Sequence, residues 1–471
     1  MNAMNQYQSW GQYPQSSPHS IQPVFWQNDP IDFDSPNQTY LPYAYGRSYG
    51  DSCLNNEGTL LDVSSLKRML SFSEDTGVFR CEAGVTFSDI LQVVVPKGWF
   101  LPVTPGTQHV SVGGAIANDV HGKNHHRAGT FGIHVRAFEL LRSTGERFIC
   151  SKNHNAGFFS ATIGGLGLTG VILWAEFQLT PIWGPWIETE RTRFHHLSEF
   201  FSLSAQADQH SEYTVAWIDC FAGKKSQGRG IFITGNHQHQ DTSASSSITP
   251  RSTVSVPFKA PSFLLNRHSL RLCNTLYFHL SSRSPTRSIE PFDTFFYPLD
   301  RLLHWNRLYG SRGFLQYQCV VPPPNQEAAI AELLDHIRRS RQGSFLAVLK
   351  QFGSIPSPGL LSFPREGTTL ALDFPNRGED TLNLLRTLDD IVCAYNGAVY
   401  PAKDARMSAQ HFRSYFPNWK AFVPLIDPKF SSSFWRRVMD SDVSTRDPSI
   451  TPIHNPLQSP QHDERSMGTS P

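Results

Sequence analysis

Four of the five histidines in a glycine-rich stretch of the chain lie close together. The stretch is residues 102–135 (PVTPGTQHVSVGGAIANDVHGKNHHRAGTFGIHV). Histidine is a common metal ligand, but His121, His125, His126 and His134 include no pair on a predicted helix at the i, i+4 spacing that metal sites use. The stretch therefore predicts no metal site. Two interpretations of these histidines stay open: polar contacts to a bound ligand, or ordinary packing within a loop.

Two further glycine-rich segments flank this stretch, YGRSYGDS at 45–52 and TIGGLGLTG at 162–170. Glycine allows the backbone to approach another group closely, so three such loops predict that the front of the chain wraps a ligand carrying phosphates. Gly165, Gly167 and Gly170 match GxGxxG, but the VILWAEFQLTPI that follows predicts a strand where a dinucleotide-binding fingerprint needs a helix. The sequence also has no GxSxG or P-loop lysine motif, which argues against hydrolases and P-loop proteins.

Polar side chains recur with strand spacing in the third quarter of the chain. In the predicted strand Phe314–Val321, Gln316 and Gln318 share one face, and Lys350 shares a face with Phe352 on a later strand. A lysine on a buried face is costly unless it has a partner. Gln318 and Lys350 are therefore either the polar wall of a site or solvated positions at a sheet edge.

The elements around these residues follow a recognisable order. Apolar periodicity predicts β-α-β-β-α-β, the ferredoxin-like pattern, in which helices cover one face of a sheet and leave the other free for a ligand. The predicted strands are Phe314–Val321, Phe345–Phe352, Thr368–Phe374 and Ala398–Ala402, with helices from Asn325 to Arg341 and from Asp380 to Cys393.

The glycine-rich loops are embedded in a region of short strands. Thr86 is placed to cap a helix with an apolar stripe of Ile90, Leu91 and Val94. The predicted strands are Gly58–Val63, Val78–Ala83, Val135–Leu141 and Val171–Leu179, and the predicted helix is Thr86–Val94.

The composition of the 471-residue chain narrows the class of protein further. A formal net charge of +1 gives no overall attraction to nucleic acid. The seven cysteines form no CxxC pair, which is typical of free thiols in a reducing compartment. Because there is no secretory signal and no apolar run of about 20 residues, the sequence predicts a cytoplasmic protein.

A basic segment, residues 242–289, has no acidic residue and six Lys or Arg interleaved with Phe and Leu. We expect it to be a mobile loop. It either lies on an anionic membrane surface, at the inner face, or folds over the domain.

The three glycine-rich segments together resemble the PCMH-type FAD-binding domain of the vanillyl-alcohol-oxidase family of flavoenzymes. In that family these loops hold the FAD pyrophosphate with backbone N–H groups, a nest-type anion site. The resemblance implies FAD as the cofactor and an α+β fold with a mixed-sheet substrate domain. It also implies that the residues in contact with FAD are Gly46, Arg47, Ser48, Tyr49, Gly50, Asp51, Gly106, Thr107, Ser111, Val112, Gly113, Gly114, Asn118, Asp119, Val120, His121, Ile172 and Tyr400.

Longer segments, from residue 42 to about 406, are similar to one branch of this family, which oxidises the 2′-hydroxyl of a polyprenyl-phosphoryl-β-D-ribose to the keto form. They are GRSYGD, DVHGKNHHRAGTFG, FFYPLD, WNRLYG, FLQYQ, KQFG, LDFP and YPAKDAR. The similarity implies a partner short-chain reductase that completes epimerisation to the arabinose form used in cell-wall building. It implies catalytic roles for Lys403, His121 and Tyr49, and substrate binding by Gln318, Lys350, Phe352 and Tyr400. The alternative is a related oxidase of a soluble sugar, alditol or aldonolactone.

The chain departs from the family pattern at three places. Thr369-Leu370-Ala371 stands where the family pocket often has Asn-x-Cys, so inhibitors that capture that cysteine are not expected to label this chain. Pro401 precedes Lys403 closely and is expected to alter its loop. Many relatives attach FAD covalently through a histidine in the first loop, where this chain has Arg47, so we expect non-covalent FAD.

The resulting prediction divides the chain into consecutive parts. They are a flexible N-terminus (1–19), the FAD-binding domain (20–182), a substrate-binding domain (183–395), a C-terminal segment that returns to the flavin (396–440) and a disordered tail (441–471).

Overall fold

The computed structural model describes residues 7–35, 37–238, 253–261 and 265–439. The predictions for residues 1–6, 242–252 and 441–471 lie outside these ranges. Within them the fold is α+β, as predicted.

The part of the chain from residue 20 to residue 182 is built on two small sheets. Its strands are β1 (Ser20–Pro23), β2 (Tyr40–Tyr43), β3 (Thr59–Asp62), β4 (Met69–Phe72), β5 (Val78–Glu82), β6 (Trp99–Phe100), β7 (Val135–Leu141), β8 (Arg147–Ser151), β9 (Val171–Gln178) and β10 (Thr180–Pro181), and its helices are α1 (Phe87–Val94), α2 (Val112–Ala117), α3 (His125–Ala128), α4 (Phe131–His134) and α5 (Ala156–Thr162). A parallel sheet has the order β1-β3-β2, and an antiparallel sheet has the order β4-β5-β9-β7-β8. The strands predicted here are confirmed to within one residue at each end.

Helix α1 begins where the sequence predicted it. The Thr86 hydroxyl accepts from the Asp89 amide, and the Asp89 carboxylate accepts from the Thr86 amide, which satisfies two amides that the first turn leaves unpaired. Ile90, Leu91 and Val94 are buried on one side of the helix.

The part of the chain from residue 183 to residue 399 contains one large sheet. Its strands are β11 (Trp186–Phe194), β12 (Tyr213–Ile218), β13 (Gly230–His237), β14 (Val254–Ser255), β15 (Thr286–Pro291), β16 (Leu302–Leu303), β17 (Phe314–Val321), β18 (Ala347–Phe352), β19 (Gly367–Pro375) and β20 (Ala398–Val399), and its helices are α6 (Leu197–Ala207), α7 (Arg267–Leu280), α8 (Phe292–Phe296), α9 (Gln326–Ser340) and α10 (Glu379–Ala394). Strand β14 pairs with β16 in a separate two-stranded sheet, and the other eight strands form the large sheet, in the order β15-β11-β13-β12-β18-β19-β17-β20. The last four are the predicted ferredoxin-like unit.

The prediction of a mixed sheet in this part is wrong, because every strand pairing in the eight-stranded sheet is antiparallel. Two strands joined by a helical crossover, such as β17 and β18, run parallel to each other. Here they are not neighbours, because β19 lies between them and runs in the opposite direction. The strand predicted at Ala398–Ala402 ends at Val399, since Pro401 begins a 3₁₀ turn, Pro401–Lys403.

The two faces of the eight-stranded sheet have different environments. Apolar side chains such as Cys319, Leu349 and Leu370 pack with the buried side of α9, including Ile330 and Leu333. The alternate residues of the same strands point the other way, toward the glycine-rich loops.

The described part of the basic segment is ordered rather than a mobile loop. Asn266 caps α7 by accepting from the amides of His268 and Ser269, and β15 is the edge strand of the large sheet. Helix α7 exposes Leu272, Leu276 and Leu280, the last at 83%. No helix among the described residues is both long enough and apolar enough to cross a membrane.

Both ends of the described chain pack against the first glycine-rich loop. Residues 7–19, expected to be flexible, are held in part by the Trp10 amide, which donates to the Ser48 carbonyl. The end of the chain forms α11 (Ala409–Tyr415), α12 (Trp419–Phe422) and α13 (Ser433–Met439). Arg437 on α13 donates to both carboxylate oxygens of Asp51, at 2.9 and 2.7 Å.

Candidate functional site

A cavity of about 1020 Å³ lies between the glycine-rich loops and the free face of the eight-stranded sheet. Most of the residues predicted to contact a cofactor line it. They are Gly46, Arg47, Ser48, Tyr49, Gly106, Thr107, Ser111, Gly113, Gly114, Asn118, Val120, His121, Ile172 and Tyr400.

The loop-lined side of the cavity suits a polar ligand that contacts the backbone. A Cβ added at Gly106 would meet no atom within 4 Å, so backbone there borders open space. The Oδ1 atom of Asn118 and the Nε atom of Arg47 are buried without a hydrogen-bond partner among the described residues. Buried polar groups are normally paired, so both are available to a bound group.

Four residues of the predicted cofactor set do not line the cavity and serve the framework instead. Val112 is in the core, and Gly50 packs against the backbone of Asp404. Asp51 pairs with Arg437. Asp119 accepts from the Gly132 amide and from the hydroxyls of Ser357 and Ser362.

The sheet forms the opposite wall of the cavity, and its register brings the predicted polar residues together. Gln318 lies opposite Ala371, which lies opposite Val348, and Val348 lies opposite Trp217. In the neighbouring row, Gln316 lies opposite Asp373 and donates to its carboxylate at 2.5 Å. Gln318 and Lys350 thus belong to a site wall rather than to a solvated edge.

His121 stands between the loops and this wall. Its Nε2 atom lies 2.9 Å from Nε2 of Gln318, and its Nδ1 atom lies 3.4 Å from Nζ of Lys350. Phe352, which does not line the cavity, packs on the imidazole at 4.7 Å between ring centroids. Burial, and next the charge of Lys350, hold the pKa of His121 well below its usual range, so the ring is neutral at pH 7.

His109, at the start of the glycine-rich stretch, also lines the cavity, whereas His125, His126 and His134 point to separate places. His125 packs on Phe352 at 4.3 Å between ring centroids, His126 Nε2 lies 3.0 Å from the Ser211 carbonyl, and His134 Nε2 lies 2.9 Å from the Ala128 carbonyl. They therefore pack within the loop region, the second of the two interpretations that the sequence left open.

Lys403 enters the cavity from the 3₁₀ turn that Pro401 begins. Its Nζ atom lies 3.7 Å from the centre of the Tyr49 ring. Burial lowers the pKa of Lys403 to about 7, an effect that Asp373 opposes and Lys350 increases. Burial likewise raises the pKa of Asp373 to about 7.

Tyr400 joins the two walls of the cavity. Its hydroxyl donates to the Asn118 carbonyl at 2.7 Å, and its amide donates to the Gln318 carbonyl at 2.9 Å. Because the Lys403 amide donates to the Tyr400 carbonyl at 2.9 Å, the position of the lysine turn is tied to both the loops and the sheet.

Sequence reasoning did not identify four charged residues that line this cavity, namely Asp373, Asp300, Lys123 and Arg191. Asp373 lies within the LDFP segment, two positions after Ala371 on the same strand. Side chains two positions apart share a face, so strand alternation could have placed Asp373 on the wall. Lys123 directly follows His121-Gly122, but its amine donates to the carbonyl of Phe295, 172 positions later. Nothing in the sequence indicates this contact.

Comparison with known proteins gives an independent result. A family described as an FAD binding domain matches residues 33–151. Decaprenylphosphoryl-β-D-ribose oxidase of Mycolicibacterium smegmatis is 34% identical over 406 residues, which cover 83% of this chain and 87% of the relative. An uncharacterized protein in the mprA 5′ region of Streptomyces coelicolor is 32% identical over 75% of this chain and the whole of that protein. Human Δ(24)-sterol reductase is 27% identical over 25% of this chain and 23% of its own length.

The matched FAD-binding region contains the first two glycine-rich loops and the unpaired polar atoms of Arg47 and Asn118. The cofactor is therefore FAD, and the residues around the cavity fit it. Since the likeness to the Mycolicibacterium protein extends across both the loops and the sheet wall, the chain belongs to the decaprenylphosphoryl-β-D-ribose oxidase family of FAD-binding oxidoreductases.

Proposed function

We propose that this protein oxidises the 2′-hydroxyl of a polyprenyl-phosphoryl-β-D-ribose to the 2′-keto form. The observation that carries this proposal is the convergence of Lys403, His121, Lys350 and Gln318 on one cavity with the FAD-binding loops. The Mycolicibacterium relative is named as an oxidase of decaprenylphosphoryl-β-D-ribose.

FAD, when bound, supplies the group that accepts the hydride from the sugar carbon. The residues of the chain must take the hydroxyl proton and orient the hydroxyl. Lys403 suits the first task, because an amine with a pKa of about 7 is partly neutral at neutral pH and has a lone pair available. The neutral His121, held by Gln318 and Phe352, suits the second. The ring of Tyr49 keeps the lysine in place, and Tyr400 fixes its turn.

We assign the FAD-binding role to the part of the chain from 20 to 182 and the substrate-binding role to residues 183–395, with residues 396–440 returning the lysine to the flavin. This division follows the sheets, since the loops belong to the first part and the polar wall to the second. Four residues then support the FAD loops without facing the cavity. Gly50 and Val112 do so by packing, Asp51 by its ion pair and Asp119 by its hydrogen bonds.

The function is tested by mixing the purified yellow holoenzyme, without oxygen, with farnesyl-phosphoryl-β-D-ribose, with ribitol or with an aldonolactone. Loss of the visible flavin absorbance with the ribose compound alone is the expected result. Bleaching by the soluble alditol or lactone instead would establish the alternative function. The keto product is then offered to a short-chain reductase to test for the partner reaction.

We infer a cytoplasmic enzyme in peripheral contact with the membrane that holds its substrate. The exposed Leu272, Leu276 and Leu280 of α7, with the neighbouring Arg271, support this contact. Flotation with anionic vesicles measures it, and protein that stays at the bottom of the gradient contradicts it.

The flavin is expected to be released completely when the protein is precipitated with acid. Arg47 lines the cavity with its guanidinium 4.5 Å from the centre of the Trp10 ring, and it offers no nucleophile for a bond to FAD. Absorbance of the supernatant measures the release. Yellow colour that remains in the precipitate contradicts the expectation.

Ala371→Cys is expected to make the enzyme sensitive to inhibitors that capture the cysteine of the family pocket. Ala371 lies on the cavity wall beside Gln318, so a thiol there would face a bound inhibitor. Intact-protein mass spectrometry should show the adduct in the variant and none in the natural protein. An adduct on the natural protein, for example at the cavity-lining Cys273, contradicts this expectation.

A further inference from the structure

Three lysines line the cavity, and none is ion-paired to a carboxylate of the described chain. Lys403 interacts with the charge of the cavity-lining Asp373, which leaves Lys123 and Lys350 to be explained. Lys123 donates to the Phe295 carbonyl and lies 4.1 Å from the centre of that ring. Lys350 has His121 as its polar neighbour. Both lysines are half-buried and line the cavity.

The electrostatics around this pair leave an excess of positive charge. Burial, and next the charge of Lys350, lower the pKa of Lys123 to about 7. Glu290 opposes that shift, but its carboxylate is already bonded to Arg191 at 2.8 Å. Lys123 and Lys350 thus face one enclosed space with no carboxylate paired to either, and an anionic ligand there would favour the protonated form of both amines.

We propose that Lys123 and Lys350 form the subsite for the phosphate of the substrate. This rests on the proposed function. In a ribose-1-phosphodiester the phosphate is attached to the carbon next to the reacting one. Lys350 lies 3.4 Å from His121, the residue proposed to orient the reacting hydroxyl, and Lys123 is near enough to Lys350 for the two charges to interact.

The wall beyond the two lysines suits the apolar lipid chain to which the phosphate is attached. Val348, Trp217 and Tyr277 line the cavity there, and the rings of Trp217 and Tyr277 meet edge to face at 4.7 Å. Tyr277 is 48% exposed and belongs to α7, whose neighbouring leucines are exposed. A sugar, a phosphate and an apolar chain would therefore meet polar, cationic and apolar walls in that order.

The experiment compares Lys123→Gln with Lys67→Gln, an exposed lysine on the other part of the chain, as the matched control. The substrates are farnesyl-phosphoryl-β-D-ribose and the neutral farnesyl β-D-riboside, which lacks the phosphate. We expect Lys123→Gln to lower kcat/KM by roughly 10- to 100-fold for the phosphorylated compound, mainly through KM, and far less for the neutral one. An equal loss on both compounds overturns the subsite.

Binding of farnesyl phosphate, which has no sugar to oxidise, separates this proposal from the proposed function. It is measured on the holoenzyme by perturbation of the flavin spectrum, with inorganic phosphate as the comparison. Weaker binding in Lys123→Gln than in Lys67→Gln supports the subsite even if no ribose compound is oxidised. Equal binding by the two variants overturns it, even if the ribose compound is oxidised. If inorganic phosphate binds as tightly as farnesyl phosphate, the site recognises free phosphate and the proposal of a lipid phosphodiester is rejected.

Discussion

Lys403→Met is expected to lower kcat/KM by roughly 10³-fold, within the range typical of losing a general base. The substitution keeps an unbranched apolar side chain as long as the methylene part of lysine and removes the amine that packs on Tyr49 in the cavity. The flavin should remain bound, because the FAD-binding loops do not depend on the amine. Stopped-flow reduction of the flavin measures the loss, and the ratio of flavin to protein is the control.

The pH dependence provides the second test of Lys403. A base with a pKa of about 7 is protonated below that pH, so kcat/KM should rise as the pH increases through 7. Burial lowers the pKa of Lys123 to about 7 and that of Lys350 to about 8, so phosphate binding should weaken as both amines lose their protons and kcat/KM should fall again. A bell-shaped profile is expected, and Lys403→Met should lose its acidic limb. A variant that keeps that limb, or that retains more than about a tenth of the activity, would show that another group takes the proton.

Gly50→Ala is expected to have the second largest effect, a loss of roughly 1–3 kcal/mol in the free energy of unfolding together with most of the activity. A Cβ at this position would lie 1.6 Å from the Asp404 carbonyl oxygen, so the first loop and the turn that follows Lys403 must separate. The contact is between two backbones, and no flexible side chain is available to move aside.

Gly223→Ala is the matched control for this substitution. Gly223 has φ −65° and ψ 161°, which alanine adopts readily, and an added Cβ would meet no atom within 4 Å. Thermal unfolding and flavin reduction should be nearly unchanged in the control. If Gly50→Ala behaves in the same way, the two backbones are not in the close contact described here.

The parts of the site that sequence reasoning found are those governed by local periodicity. Alternation along a strand is a property of the backbone, so Gln318 and Lys350 could be assigned to faces without knowledge of the partner strands. The antiparallel pairing of the sheet was missed, because the strand that lies between the two strands of each crossover is not part of that crossover in the sequence. The acid that interacts with Lys403 was missed because alternation places Asp373 on the face of Ala371, but only the tertiary fold brings that face to the lysine turn.

The loop residues show a different limit. Asp51 and Asp119 belong to glycine-rich loops and look like cofactor contacts in the sequence, yet each is turned away from the cavity. Asp51 is directed toward Arg437, 386 positions later, and Asp119 toward Ser357 and Ser362, 238 and 243 positions later. A motif identifies which loop surrounds a ligand, but tertiary partners decide which of its side chains face that ligand.

The pairing of Asp51 with Arg437 has a consequence for biosynthesis. Domains generally fold as they leave the ribosome, from the N-terminus onward. The first flavin loop is made early, but its buried carboxylate has no cation until the ribosome has added α13, and Arg437 also binds Asp404 next to the reactive lysine at 2.9 Å. We therefore expect the first flavin loop and the lysine turn to reach their final packing only after α13 has been made.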